Sequence, residues 1–415
     1  MKSFNESQCM NILRKLVAIN SVNDNEITVA KYIQDLLAQN NIKSTIKDVH
    51  GNRANLVAEI GHGKPVLAFT GHMDTVAPGN LDDWKTDPFT LSEKDGTIYG
   101  RGVCDMKSGL AAAVIAMIEL HKQGLPKQGT IKLLATMSEE VGEEGSRYFL
   151  DDGDMNDVDG LIVGEPTGYN MSFDEKGSMD IKVTSKGKTS HSSMPQFGYN
   201  AIDALINFLT EANSLFRQET NNHDTMGPLV FDTTTITGGT QVNSIPNLAQ
   251  ADINVRTIPE FNNQQVIEQM NQLVDKYNQN GAHIALDVYM NEDPVSMAKD
   301  NLLVPLTIDA MKQYTSGNVS YLNDTSTNVG QLLQKYNNGD MFVFANPGIT
   351  DASNLVKNKP ADFPFIVAGP GNLTSHKVNE ELDKQMFFNF IDIYENLMTE
   401  FLDKVQVKSS VDVEE

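Results

Sequence analysis

The sequence predicts an α/β protein with a central, mostly parallel sheet, interrupted by an inserted α+β domain. Two observations predict this. Four short, unbroken apolar runs (Pro65 to Thr70, TIKLLATM, GLIVG and FPFIVAGPG) are interspersed with helix-period segments. Continuous apolar runs of that length suit strands buried on both faces, as in parallel sheets. Between the third and fourth runs the pattern changes. MDIKVTSKG and ADINVR alternate apolar and polar residues, the period of antiparallel strands with one solvated face.

The elements follow in order. The opening MKSFNESQCMNILRKL reads as an amphipathic helix and lacks the unbroken apolar core of a secretion signal. A second helix covers about Glu26 to Asn40. An Ala-rich helix starts at Ser108 and ends at Gly124, a glycine stop. Two more helices, Asn200 to Phe216 and about Asn262 to Tyr277, accompany the alternating strands. Residues 177–289 are therefore assigned to the inserted domain, and 1–176 with 290–415 to the main one. A chain of 415 residues suits two domains. The polar tail from Lys408 to Glu415 is expected to fray.

Composition narrows the function. The chain is 40% hydrophobic and 21% charged, with a net charge of −23. Nucleic acids and anionic membranes select basic surfaces, so neither is an expected partner. No apolar run approaches the roughly 18 residues of a membrane span. Two cysteines, Cys9 and Cys104, are too few for a disulfide framework and fit a reducing cytoplasm.

Each of the four apolar runs leads into metal-competent side chains: His72, the pair Glu139-Glu140, Glu165 and His376. Open α/β sheets gather their ligands at the carboxyl ends of the strands, so these distant residues could converge. Asp105 enters on the loop before the Ala-rich helix, where a helix N-terminus favours negative charge. Imidazole and carboxylate both suit zinc. Two histidines and three carboxylates are about what a two-metal site needs if one carboxylate bridges. Asp74, two residues after His72, can hold the other ring nitrogen. Glu139 and Glu140 should leave the strand end in different directions, so one can bind metal while the other handles a proton. Singly, each signal is ordinary: a lone histidine is usually structural, a Glu pair usually solvated, and Cys104 a small buried filler. The joint pattern points to metal-assisted hydrolysis.

The segments GHMDTV, YGRGVCDMKSGLAA, ATMSEEVGEEGS, GEPT and SHKVNE resemble the M20 metallopeptidase family, over nearly the whole chain. The resemblance implies a zinc-peptidase-like catalytic domain with an inserted lid and dimerisation domain. It implies two zinc ions per subunit, for which Co2+ or Mn2+ could substitute. By this resemblance His72 and Glu165 hold one ion, Glu140 and His376 the other, and Asp105 bridges. Glu139 becomes the general base, Asp74 orients His72, and the Asp105-Met106 peptide is often cis. His191, in KGKTSHSSMP, would cross a homodimer interface formed by residues 177–289 and stabilise the oxyanion in the partner's site. Asn243 and Arg256 would bind a substrate carboxylate, and Thr350 would sit on the substrate-side loop. Read alone, His191 is a surface histidine and Arg256 equally a salt-bridge partner.

Glutamate at position 165 accompanies deacylases and carboxypeptidases in this family, which implies a small N-acylated amino acid as substrate. The likeness runs nearest to succinyl-diaminopimelate desuccinylases, enzymes of lysine and diaminopimelate biosynthesis. N-acetylornithine deacetylase, aminoacylase and dipeptidase are the alternatives. The better-known desuccinylases carry an arginine pair just before the lid, where this chain reads Asp174-Glu175-Lys176-Gly177. Lys176 is then the candidate for the succinyl carboxylate. A non-catalytic binding module on the same fold is a third reading, and the retained Glu139 counts against it.

Overall fold

The computed structural model describes residues 2–322 and 339–411. The helices start where side chains can cap them. Asn5 and Gln8 form a capping box on Glu6–Ala18, and Asn262 and Gln265 form another on Asn263–Gln279. Asn200 caps Ala201–Arg217. The Ala-rich helix spans Lys107–Lys122 and is buried continuously from Lys107 to Leu120. Small side chains let it lie between the sheet and the helices Glu6–Ala18 and Lys384–Val411.

The central sheet has ten strands. Its order is Ser44–His50, Arg53–His62, Gly129–Thr136, Val66–His72, Gly160–Pro166, Phe365–Gly369, Met171–Glu175, Met341–Asn346 and Val319–Tyr321, with Val295–Ser296 paired onto Met171–Glu175. The four strands that arise from the apolar runs are neighbours and mutually parallel. Val66–His72, Gly129–Thr136 and Phe365–Gly369 are buried at every position, which is why their sequences show no alternation. Register aligns their carboxyl ends: His72 lies opposite Thr136, and Gly369 opposite Pro166.

The inserted region forms a four-stranded antiparallel sheet in the order Val230–Gly238, Leu248–Thr257, Gly177–Lys186, Ile284–Glu292. Its inward residues, among them Met179, Ile181, Val183, Ile253 and Val255, pack on Leu205, Phe208 and Met270 of its two helices. This core is separate from the one under the central sheet. The last strand ends at Glu292, three residues beyond the boundary expected from the pattern. The terminal helix continues to Val411, so the first four residues of the expected frayed tail are helical and the last four lie outside the described residues. Among the described residues no helix is long and apolar enough to cross a membrane.

Candidate metal centre

The centre is assembled at the aligned strand ends. His72 closes Val66–His72, and Glu165 is the penultimate residue of Gly160–Pro166. The chain leaving Gly129–Thr136 turns through three left-handed residues, Ser138 (φ 63°), Gly142 (φ 85°) and Glu143 (φ 50°). Left-handed backbone at non-glycine residues is uncommon and tends to persist where surrounding contacts hold it. Here those contacts are visible. Asn55, fully buried, accepts from Met137 N at 3.0 Å and donates to the Gly145 carbonyl at 2.8 Å. The two Asp74 carboxylate oxygens accept from Glu139 N and Glu140 N, each at 3.2 Å. Gly109 brings the Lys107–Lys122 helix against the Glu165 strand, because a Cβ there would fall 2.2 Å from the Gly164 carbonyl oxygen. The Asp105-Met106 peptide preceding that helix is cis, as the resemblance implied.

The five expected ligands come together around Asp105. Asp105 Oδ1 lies 3.1 Å from His72 Nε2, and Asp105 Oδ2 lies 3.3 Å from His376 Nε2. His72 Nε2 is also 3.5 Å from Glu165 Oε1, and His376 Nε2 is 2.9 Å from Glu140 Oε2. One carboxylate therefore stands between two histidine–glutamate pairs, with one oxygen toward each. Donor atoms of His72, Asp105 and Glu140 all fall within 4.8 Å of one another. His376, at φ 62°, has a side chain 56% exposed, so the centre opens to solvent on that side.

Asp74 holds the other ring nitrogen of His72, and does so through its backbone more closely than through its side chain. The nearest atom to His72 Nδ1 is the Asp74 backbone carbonyl, at 3.0 Å, with the carboxylate at 3.6 Å. A carbonyl can only accept, so Nδ1 carries the proton and Nε2 faces the carboxylates. The Asp74 side chain mainly holds the turn that bears Glu139 and Glu140.

Electrostatics fit a cation site. Burial drives the Glu139 and Glu165 carboxyls well above their usual range, reinforced by repulsion from Glu140 and Asp351, with Glu165 adding to it at Glu139 and Asp105 at Glu165. Burial likewise raises Asp74 to about 7. Burial should lower His72, but Glu165 and Asp105 outweigh it and hold the ring well above its ordinary value. Hydrogen bonds to Asp105 and Glu140 raise His376 to about 10. Burial opposes ionisation of Asp105, yet its two histidine partners hold it far below the carboxylate range. The cluster has more negative charge than its own side chains neutralise. In addition, Glu140 Oε1 is buried with no hydrogen-bond partner among the described residues. A buried oxygen left so is costly unless something fills the place. Divalent cations satisfy both conditions, and the nitrogen and oxygen donors suit zinc.

Two other expected residues are occupied within the fold. Lys176 is 2% exposed, and its Nζ donates to the Pro228 carbonyl at 2.5 Å. Thr350 is buried, and both its N–H and hydroxyl donate to Glu175. Among the described residues, no hydrogen bond or ion pair joins His191, Asn243 or Arg256 to the five ligands. His191 and Asn243 are exposed, on adjacent loops joined by a bridge between His191 and Ser244. His191 Nδ1 accepts from Ser193 N at 3.2 Å. Arg256 is half-buried and, among the described residues, its guanidinium forms neither a hydrogen bond nor an ion pair, so the salt-bridge alternative is not realised. Cys104 is a fully buried free thiol whose sulfur accepts from Asn372 N. Sequence reasoning passes over Glu380, four residues after His376, although SHKVNE contains it.

Comparison with known proteins gives a consistent result. Residues 68–400 match the model of peptidase family M20/M25/M40. A Staphylococcus epidermidis protein named probable succinyl-diaminopimelate desuccinylase is 38% identical over 429 aligned positions, covering 97% of this chain and 100% of that protein. A Wolbachia pipientis succinyl-diaminopimelate desuccinylase is 28% identical, covering 96% of each. Among solved structures, an M20 family metallo-carboxypeptidase of Sulfolobus solfataricus is similar in fold, with a TM-score of 0.76 at 17% identity, covering 94% of this chain and 98% of that one.

Proposed function

The chain belongs to peptidase family M20/M25/M40 and is a metal-dependent amide hydrolase; from that premise we propose that it uses two zinc ions to cleave N-succinyl-LL-2,6-diaminopimelate into succinate and LL-diaminopimelate. The observation that carries the two-ion reading is Asp105, set between His72 and His376 with one oxygen toward each. The near full-length likeness to proteins named for that desuccinylation supports the substrate.

His72 and Glu165 would hold one ion, His376 and Glu140 the other, and Asp105 would reach both. When bound, the ions supply Lewis acidity, which acidifies a water and polarises the scissile carbonyl. Glu139 takes the proton from the attacking water onto a carboxylate oxygen and passes it to the leaving amine nitrogen. Its burial raises its proton affinity, which suits a group that takes up a proton and then returns it. Asp74 fixes the backbone from which Glu139 projects. Arg256, with no hydrogen-bond or ion-pair partner among the described residues, is available to a substrate carboxylate, with Asn243 sharing that role. His191 of a second subunit would donate to the oxyanion.

A homodimer through the lid is supported by the lid's edge strand Val230–Gly238 and by exposed Ile236 (57%) and Ile206 (48%). We place the enzyme in a reducing cytoplasm on its two free cysteines, and its net charge of −23 counts against nucleic-acid and anionic-membrane partners. A second reading has its own support. The positions before the lid carry the carboxylates Asp174 and Glu175, and the Lys176 ammonium is engaged by Pro228. That favours an acyl group without a carboxylate, as in N-acetylornithine or a dipeptide. Zinc-loaded protein given N-succinyl-LL-diaminopimelate, N-acetylornithine and a dipeptide panel decides between them. The highest kcat/KM is expected on the succinylated substrate. Cleavage of it no better than the others would overturn the assignment in favour of the second reading.

A further inference from the structure

We infer that Glu380 is a positioning residue of the metal centre, whose buried carboxylate clasps the loop bearing Asp105 and ties it to the loop bearing His376. This rests on the metal-centre reading above. Glu380 is fully buried. Its Oε1 accepts from Cys104 N at 2.7 Å and from Asp105 N at 2.9 Å. Its Oε2 accepts from Gly102 N at 3.0 Å and from Arg101 Nη1 at 2.6 Å. Its backbone carbonyl accepts from Gly100 N at 3.1 Å. Every residue from 100 to 105 except Val103 therefore donates to this one side chain or its carbonyl. Successive backbone N–H groups converging on one carboxylate make an anion nest, here filled by the protein itself.

The clasp acts on ligand position for three reasons. Asp105 is itself one of the donors, so the backbone from which its carboxylate projects is held directly. Glu380 lies four residues after His376, and the intervening Asn379 is also anchored, accepting from Lys85 N at 2.7 Å and donating to the Asp83 carbonyl at 3.1 Å. A second tie runs from Asn372 N to the Cys104 sulfur at 3.2 Å. The two loops are thus fixed to each other behind the point where Asp105 Oδ2 and His376 Nε2 face at 3.3 Å. Without the carboxylate, three inward N–H groups and a buried guanidinium lose their acceptor, and the loop must shift to find water or other partners.

Groups that orient metal ligands from behind are commonly worth about 10- to 100-fold in metal affinity. Glu380→Gln should lose affinity in that range, because its amide NH2 confronts Gly102 N–H and Arg101. Glu119→Gln is the control for a purely structural role. Glu119 is also a buried carboxylate that accepts two backbone N–H groups, from Ser3 at 2.8 Å and Phe4 at 2.7 Å, but at the far end of the helix that follows Asp105. Metal-stripped proteins would be titrated with Zn2+ by calorimetry and with Co2+ by its visible spectrum, beside thermal melting. The expected result is weaker binding and an altered Co2+ spectrum in Glu380→Gln, with both unchanged in Glu119→Gln despite its lower melting temperature. If wild-type protein takes up no Zn2+ or Co2+, the metal-centre reading itself falls. If wild type binds and Glu380→Gln binds as tightly with the same spectrum, the clasp alone is overturned; so too if Glu119→Gln weakens binding equally. Should Glu380→Gln fail to fold, Glu380→Asp decides the matter, because it keeps the charge but is one methylene too short to hold the Gly102, Cys104 and Asp105 N–H groups together. A loss near the lower end of the same range supports the clasp, and wild-type affinity overturns it.

Discussion

In the metal centre, His72 and Asp105 face each other at 3.1 Å with little or no exposure, each held from behind by further buried groups. On the lid, His191 and Asn243 are exposed, and their loops bond to each other: Ser192 N donates to the Asn243 carbonyl at 3.1 Å, and Val242, next to Asn243 in the chain, is fully exposed. The first region is organised in advance by one chain. The second is open, and among the described residues no hydrogen bond or ion pair joins its exposed side chains to the five ligands. On the proposed mechanism, the difference would make proton transfer and ion binding properties of the single chain and leave oxyanion stabilisation to a second surface. Electrostatic catalysis depends on such preorganisation, so the second surface must dock with definite geometry.

The largest expected effect tests the first half of that contrast. Glu139→Gln should lower kcat by about 10²- to 10⁴-fold, the usual weight of general acid–base catalysis. Metal content, measured by elemental analysis, should stay at the wild-type level. Loss of metal would mean that Glu139 is a ligand and that its role is exchanged with Glu140. A somewhat smaller effect tests the second half. His191→Ala should cost about 10²- to 10³-fold in kcat, as for the loss of one oxyanion donor. Its melting temperature should not change, because the side chain is exposed and bonded only locally. Mixing His191→Ala with Glu139→Gln subunits should restore part of the activity, since one of the two sites in a mixed dimer then has both groups intact. Absence of rescue after proven subunit exchange would place His191 in service of its own chain, and the contrast between the regions would reduce to an open and a closed lid.

How much of this was legible depended on the kind of force involved. Strands buried on both faces must be apolar throughout, so the four runs of the central sheet and the ligand positions after them stood out in the sequence. The alternating lid strands were equally plain, except at their end. The ladder shifts register between Val288 and Met290, and the strand continues past that bulge to Glu292. Side chains that work by accepting backbone N–H groups leave no such pattern. The Asp74 carboxylate on Glu139 and Glu140, and Glu380 on the Asp105 loop, follow from three-dimensional turns that no periodicity encodes. The engagement of Lys176 was hidden for a related reason. A lysine beside a motif reads as an available cation, but at the junction of the two sheets its ammonium is turned inward to a carbonyl.

Lys176 also supplies the smallest expected effect on catalysis. If its ammonium serves the fold, Lys176→Met should lower the melting temperature, because a carbonyl deprived of its donor in the interior costs about 1–3 kcal/mol. The ratio of kcat/KM on N-succinyl-LL-diaminopimelate to that on N-acetylornithine should not move. A substrate carboxylate could recruit this ammonium only by drawing it away from Pro228, and so by loosening the point where the chain passes from the central sheet into the lid. The geometry favours the fold in that competition, since the side chain is 2% exposed and the donor bond is short. A ratio that shifts toward the acetylated substrate would reverse the argument, making lid entry and acyl recognition one event and bringing the lid's specificity back to its first residues.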